Sequence, residues 1–555
     1  MKLQRPVIGS TVLSVLVAAY LLFLNNATFW SKISGHFTGH PAMLAILGLA
    51  VLLLYIVFLV AFSAPYIFKP VLIAAVMISA GVAYFTDTFG TILDRDMIQN
   101  IAQTTGPESR HPLTPQFLLH LFLFGVLPSL LIIWVRIDHK PFWRKVRTNT
   151  VLCLGLVVVA VALIGSNFRT YIPFWQHERK ETMVYLNPAM ALIGSIDYGI
   201  HQFREANIVA QPYGEDARQG PKLADSTKKR LLVLVVGETA RAQNFSLNGY
   251  QRDTNPELAA RDVIAFTNVT SCGTATAVSM PCMFSHLGRD GYSKRLALGS
   301  ENLVDVLKHA GLTIEWWENN TGTKQIADRI ATTMMTAAPD PKLCSDGECL
   351  DQVLVDKLAA RLDNLEGNAV LILHTMGSHG PAYYQRYPAD FERFKPACRK
   401  AELADCSTEE LTNVYDNSIL YTDHILASVI DVLKKHGNDY ASALYYMSDH
   451  GESLGENGLY LHGAPYMFAP DTQKRIPFIA WLSDDFAAVN GVDMACLRTK
   501  AGDVFSHDNM FDTVLGMMDI ETKVYDVKRD AFASCRGSAV SQAGTASTGS
   551  VSLSK

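Results

Sequence analysis

Neither sign of charge dominates this sequence: 48 Lys and Arg stand against 53 Asp and Glu in 555 residues, a formal net charge of −5. A chain that neutralises a nucleic-acid backbone needs a basic surplus, so no nucleic-acid partner is expected. No internal repeat is found either, which excludes a solenoid or propeller. Two further scarcities fall at the same place. Long apolar runs are missing after about Gly165, and before it Cys153 is the sole cysteine. The chain therefore consists of two unlike parts rather than one uniform domain.

In the first part, five runs approach the roughly 20 apolar residues that cross a bilayer. They are Val7 to Leu24, Ala42 to Phe62, Pro70 to Phe85, Phe117 to Val135 and Val151 to Gly165. The first lacks a small-residue cleavage site and has four others behind it, so it reads as a retained span rather than a cleaved signal. Lys2, Arg5, Lys69, Arg136, Lys140, Arg144, Lys145 and Arg147 flank the ends that belong in the cytoplasm. The loop carrying Asp87, Asp94, Asp96 and Glu108 then faces outward, as does everything after Gly165. A transmembrane domain of five helices is expected over 1–165 and an amphipathic interfacial segment with a linker over 166–229. An outer domain over 230–540 and a disordered Ser, Gly and Ala-rich tail over 541–555 complete the chain.

Cysteine usage supports the outward placement. Cys272, Cys282, Cys344, Cys349, Cys398, Cys406, Cys496 and Cys535 are an even number on the side where disulfides persist. Close spacing suggests Cys272 with Cys282, Cys344 with Cys349 and Cys398 with Cys406, leaving Cys496 for Cys535. A zinc site built from four of them would need short knuckle spacings that are absent.

Within the outer part, Leu231 to Val236, Ala369 to Leu373 and Ala441 to Met447 read as buried strands. They alternate with helical patterns over Glu301 to Ala310, Cys349 to Leu365 and Leu411 to Lys435, which predicts an α/β domain with a largely parallel sheet. Ligands gather beyond the carboxyl ends of such strands. Glu238 follows one strand, Asp449 and His450 another, and His374 and His379 a third. Two carboxylates and an imidazole are zinc ligands by type. The fourth ligand is expected from Thr274 or Thr276, inside the small-residue stretch between Cys272 and Cys282. Cation binding lowers the pKa of a hydroxyl and makes it a nucleophile. Spacing does not choose between these two threonines.

His379 and His462 are candidates to bind a second metal, stabilise phosphate oxygens or move a proton. Asn320 and Lys324, after the apolar run Thr313 to Trp317, are either a surface loop or contacts to a phosphate or amine headgroup. Asn100, Thr104 and Glu108 would share one helical face and could line an entrance at the membrane, or simply form a solvated loop. Gly106 and Pro107 would end such a helix before Glu108.

The segments VVGETARAQNFSLNGYQRDTNP, SCGTATAVSMPCMFS, EWWENNTGTK, HTMGSHGP and MSDHGESLGENGLYLHG resemble the motifs of the phosphoethanolamine transferases that modify lipid A, the group containing the mobile colistin-resistance enzymes. The resemblance covers both parts and excludes only the tail. It implies an alkaline-phosphatase/sulfatase-like fold for the soluble domain. Thr276 becomes the nucleophile, being the second threonine of C-G-T-x-T. The implied zinc ligands are Glu238, Thr276, Asp449 and His450, one zinc site with a second left open. Asn100, Thr104, Glu108, Thr321, Lys324, His379 and His462 become headgroup contacts, with Thr274 and Asn320 beside them.

The reaction implied is transfer of phosphoethanolamine from phosphatidylethanolamine to a phosphate of lipid A, through a threonine-bound intermediate, with release of diacylglycerol. A monomer in the inner membrane of a Gram-negative bacterium is expected, with lowered surface charge and polymyxin resistance as the outcome. The competing readings are transfer to a core-oligosaccharide or glucan acceptor, a membrane-tethered phosphodiesterase or sulfatase, and an inert metal-binding envelope protein.

Overall fold

The computed structural model describes residues 5–537 apart from 105, 107, 140, 206–207 and 225–226. Lys2, Lys140 and the expected tail lie outside the described residues. The membrane part contains α1 (Ser10–Leu24), α2 (Ala27–His36), α3 (Pro41–Ala61) and α4 (Phe68–Phe89). After them come α5 (Arg95–Gln103), α6 (Pro115–Trp134) and α7 (Phe142–Ser166). Four of these, α3, α4, α6 and α7, are long and apolar enough to span a bilayer, and α1 with α2 makes a fifth if the bent pair counts as one. The third and fifth apolar runs extend into helices of 22 and 25 residues.

The first span departs from the straight helix its composition suggests, because α1 and α2 meet at 70°. The break falls at Asn25 and Asn26, and the Asn26 side-chain amide competes with helical bonding. The Asn26 side chain donates to the Leu21 and Asn187 carbonyls at 2.9 and 2.7 Å and accepts from the Asn187 amide at 2.8 Å. Asn187 also donates to the Asn25 and Ser79 carbonyls. This buried amide network roots the segment after α7 in the bundle.

The expected interfacial segment ends in α8 (Ala189–Glu205). Its Ala191 and Gly194 are buried, while Ile193, Ile196, Ile200 and Phe203 are exposed. Gly194 lies against Asp94, so that a Cβ would sit 2.9 Å from the Asp94 carbonyl carbon. An exposed apolar stripe on a helix packed sideways on the protein suits the membrane surface. The stretch read as a linker is tied down instead, since Arg218–Gln219 pairs with Ile520–Glu521 and Leu223 is buried.

The soluble part is built on a seven-stranded sheet. In chain order its strands are β1 (Lys229–Gly237), β2 (Ile264–Phe266), β3 (Thr313–Glu318), β4 (Ala331–Met334), β5 (Ala369–His374), β6 (Tyr440–Ser448) and β7 (Phe478–Leu482). Their spatial order is 2-7-6-1-5-3-4, with β7 antiparallel to both neighbours and the remaining pairs parallel. Leu232, Leu234 and Val236 of β1 enter one core, and Leu231, Val233 and Val235 enter the other. Burial on both faces explains why this strand reads as an unbroken apolar run. The long helix α10 (Thr408–Lys435) covers the second face, started by a reciprocal cap between Ser407 and Glu410.

Register places the site. Ser448 pairs with Gly237, and His374 pairs with both Val236 and Glu318. The ends of four strands are therefore level, and the residues just after them share one edge. The membrane part meets this edge directly. Gly90 ends α4 in a left-handed conformation, where a Cβ would lie 2.8 Å from the Gly458 carbonyl oxygen. Tyr84 of α4 donates to the Glu402 carboxylate, which also accepts from Thr114 at 2.8 Å.

Candidate active site

Glu238, Asp449 and His450 are buried and form the single cluster of acidic, His or Cys groups among the described residues arranged to hold a metal. Thr276 opens α9 (Thr276–Met283), whose first bonds run from the Val278 and Ser279 amides to the Ala275 carbonyl at 3.0 and 2.9 Å. Its hydroxyl donates to both Glu238 oxygens at 3.2 Å and lies 3.3 Å from His450 Nε2. His450 Nε2 lies 3.4 Å from Glu238 Oε1 and 3.3 Å from Asp449 Oδ2.

The donor set fits a tetrahedral cation. Ligand bonds of about 2.0–2.1 Å give a tetrahedron whose edges are roughly 3.3–3.4 Å, and the observed separations of 3.2 to 3.4 Å match them. Asp449 Oδ2 has no hydrogen-bond partner although it is buried, as expected of an oxygen kept for a metal. Burial raises the Asp449 carboxyl to about 6 and lowers the His450 imidazole to about 3. The neutral imidazole is the ligating form, and the bond from its Nδ1 to the Gly451 carbonyl at 2.8 Å leaves the Nε2 lone pair for a cation.

Each ligand is held by a further group. Asp449 Oδ1 accepts from the amides of Thr239 and His450 at 3.1 and 2.7 Å. Thr239 also donates its hydroxyl to Glu238 Oε1 at 2.5 Å, and it bonds both carboxylates because its φ is +58°. A β-branched residue in that conformation is strained by about 1–3 kcal/mol. Asn320 donates to Glu238 Oε2 at 2.7 Å and to the Thr375 carbonyl at 2.9 Å. The amide expected to meet substrate thus orients a ligand.

Thr274 is turned away from Glu238, donating to the Ala464 carbonyl at 2.6 Å, and its role in the structure is to anchor the loop. Thr321 accepts from Lys324 at 2.8 Å, so these two form one unit after Asn320. The four disulfides are Cys272–Cys282, Cys344–Cys349, Cys398–Cys406 and Cys496–Cys535, as the spacing suggests, and the first closes the loop around Thr276. Cys153 remains a thiol.

Toward the membrane, three imidazoles follow one another. The His450 and His462 ring centres are 4.4 Å apart, and those of His462 and His379 are 5.9 Å apart. Burial opposes charge on His462, but Glu452 at 3.4 Å and the Glu238 and Asp449 carboxylates outweigh it and hold it up at about 9. Burial lowers His379 to about 3. Both rings border a cavity of about 320 Å³ whose far wall includes Asn100 and Thr104. Helix α5 ends at Gln103, before Glu108, which opens a separate short turn, Glu108–Arg110. The Glu108 side chain is outside the described residues.

Several supporting groups had no sequence signal. Asp351 accepts from the amides of Met376 and Gly377 at 2.7 and 2.9 Å and fixes the loop that carries His379. Gly377 has φ +53°, and a Cβ there would sit 2.6 Å from the Glu238 carbonyl oxygen. His374 is fully buried and pairs with Glu318 at 2.9 Å rather than joining the metal cluster. Glu452, two residues beyond His450, was findable only as part of the same motif.

Comparison with known proteins agrees with this geometry. Residues 230–520 match the sulfatase family, and residues 50–203 match the family described as phosphoethanolamine transferase EptA/EptB. The chain is 39% identical over 545 residues to the phosphoethanolamine transferase EptA of Escherichia coli (strain K12), covering 96% of this chain and 98% of that protein. It is 38% identical over 545 residues to the phosphatidylethanolamine transferase Mcr-1 of Escherichia coli, covering 95% and 98%. The integral membrane protein lipooligosaccharide phosphoethanolamine transferase A (EptA) from Neisseria meningitidis has the same fold at a TM-score of 0.91 and 35% identity. That match covers 96% of this chain and all of the other.

Fold and site together define a membrane-integral enzyme whose periplasmic domain has the alkaline phosphatase/sulfatase-like architecture. The chain belongs to the family of lipid A phosphoethanolamine transferases. It resides in the inner membrane of a Gram-negative bacterium.

Proposed function

We propose that the protein transfers phosphoethanolamine from phosphatidylethanolamine to a phosphate of lipid A in two displacements at Thr276. The observation that carries this reading is the near-tetrahedral set of Thr276, Glu238, Asp449 and His450, with the hydroxyl of a helix-opening threonine as one corner. When bound to these residues, a zinc ion supplies Lewis-acid polarisation and lowers the pKa of the hydroxyl.

In the first displacement Thr276 Oγ gives its proton to Glu238, which already accepts its hydrogen bond, and forms a bond to phosphorus as the phosphorus–glycerol oxygen bond breaks. Diacylglycerol leaves with a proton, for which the protonated His462 is the nearby donor. Asn100, Thr104, Glu108, Thr321, Lys324 and His379 serve the ethanolamine headgroup, and the apolar wall of the cavity, including Phe85 and Phe117, meets the acyl-glycerol portion. In the second displacement an acceptor phosphate oxygen forms a bond to the same phosphorus. The phosphorus–Oγ bond breaks, and Thr276 regains a proton.

Mass spectrometry of lipid A from cells carrying the wild type or Thr276→Ala tests the transfer, and intact-protein mass spectrometry after mixing with phosphatidylethanolamine tests the intermediate. Added phosphoethanolamine on wild-type lipid A, and on Thr276 itself, is expected; neither should form with the variant. Modified core sugar beside unchanged lipid A would replace the acceptor. Release of free phosphoethanolamine at the full turnover rate with lipid A present would replace transfer by hydrolysis.

A further inference from the structure

Helix α5 has two faces, and each borders a different cavity, one beside His379 and His462 and the other beside the nucleophile loop. Met97, Asn100 and Ile101 line the cavity that reaches His379 and His462. Arg95, Asp96 and Gln99, on the other face, line a second cavity of about 410 Å³. This second cavity reaches the nucleophile loop. Ala277 and Val278, the two residues after Thr276, form part of its wall, and Gln99 donates to the Ala277 carbonyl at 3.1 Å.

The two cavities differ in chemistry. The first is mostly apolar with two imidazoles, and the second is bordered by Arg95, Arg204, Arg289, Lys294 and Arg295 against Asp96 and Glu205. Arg95 pairs with Asp96 at 2.8 Å and Lys294 with Glu205 at 3.1 Å. Among the described residues, the guanidinium groups of Arg204, Arg289 and Arg295 make no ion pair, while the Arg289 backbone amide donates to the Asp508 carboxylate at 2.8 Å. Arg289 instead donates to the Cys272 carbonyl and lies over the Tyr466 ring, 3.2 Å from its centre. Its surplus charge is thus fastened to the disulfide that closes the nucleophile loop. The Tyr292 hydroxyl in the same wall is buried with no hydrogen-bond partner.

The position of this cavity is equally specific. Tyr198, His201 and Arg204 of α8 border it, and the same helix exposes Ile193, Ile196, Ile200 and Phe203. A helix with an exposed apolar stripe beside a cation-rich wall sets those cations at the level of lipid headgroups. Guanidinium groups without carboxylate partners suit a phosphate ester, which they bind through paired N–H donors.

We propose that this second cavity seats the phosphate of the acceptor glycolipid, and that α5 is the wall between a donor chamber beside His379 and His462 and an acceptor chamber beside Ala277 and Val278. The assignment rests on the two-displacement reading above. In the second displacement the acceptor oxygen enters opposite Oγ, where the glycerol oxygen left, so the two lipids share only that position while their bodies lie on opposite sides of α5.

The test uses full-length protein in detergent with a fluorescent phosphatidylethanolamine analogue and lipid A. Arg204→Glu with Arg295→Glu is compared with Arg204→Lys with Arg295→Lys. Loss of charge-assisted bonds of about 1.5–3 kcal/mol predicts that the Glu pair weakens lipid A binding about tenfold or more. The KM for lipid A should rise in parallel, with the rate of single-turnover diacylglycerol release retained. The Lys pair should recover most of the binding, and lipid A stripped of phosphate should bind wild type and Glu pair alike. Unchanged lipid A binding in the Glu pair, or a parallel fall in diacylglycerol release, overturns the chamber assignment. Absence of acceptor-independent diacylglycerol release in the wild type, with phosphate-dependent lipid A binding intact, overturns the two-displacement reading and leaves the acceptor site standing.

Discussion

The floor of the site and its membrane-facing rim are built differently. On the floor, Glu238, Asp449 and His450 are buried, and each is fixed by a neighbouring amide, hydroxyl or carbonyl. On the rim, Asn100 and Thr104 are half-buried, and the Thr104 hydroxyl donates to the Asn100 carbonyl one turn back at 2.9 Å. A metal centre tolerates little displacement of its ligands, whereas a surface that admits a lipid with variable acyl chains must not fit one shape. Rigidity is concentrated where bonds to phosphorus are made.

This contrast predicts a graded response to substitution. Glu238→Gln, at the centre of the floor, should lower transfer on the order of 10³-fold or more and deplete the bound metal. Metal analysis of the purified variant checks it, and normal zinc content would break the comparison. Asn320→Ala leaves the ligands in place but frees one of them, and should weaken metal affinity about 10–100-fold. Titration with a chelator of known affinity reads this effect.

Protons compete with the metal for Asp449, whose carboxyl burial raises to about 6. At pH 7 the group is mostly a carboxylate; as pH falls through 6 it binds a proton that a cation must displace. Apparent metal affinity should then fall roughly tenfold per pH unit below about 6. Retention that is flat to pH 5 would remove Asp449 from the ligand set. Thr104→Ala, on the rim, should raise KM for phosphatidylethanolamine a few-fold with kcat nearly unchanged. A large loss of kcat there would show that the rim is as exacting as the floor.

The contrast also explains which parts were legible in the sequence. The strands β1, β5 and β6 are buried on both faces and announce themselves as apolar runs, and the ligands are the polar residues immediately after them. Level strand ends then make sequence adjacency a proxy for the site edge. The edge strand β2 and its neighbour β7, of three and five residues, are too short to stand out. Thr274 and Thr276 are equivalent by spacing. What separates them is that one hydroxyl reaches Glu238 and the other the Ala464 carbonyl, a result of where the chain turns into α9. Asp351 and Glu318 act from segments far along the chain, and their residue types alone carry no trace of those partners.

The grip of Tyr84 and Thr114 on Glu402 works as a height gauge. With the contacts of Gly90 to Gly458 and of Gln99 to Ala277, it ties the soluble part to the ends of two spans and sets the height of Thr276 above them. Partners are then selected by where in the envelope they stand as well as by what they are. An acceptor anchored in the same leaflet presents its phosphate at that level while it resides there, and one that has moved to another membrane is out of reach. On the proposed reaction, modification would then be an event in the acceptor's transit, timed by its stay beside the enzyme.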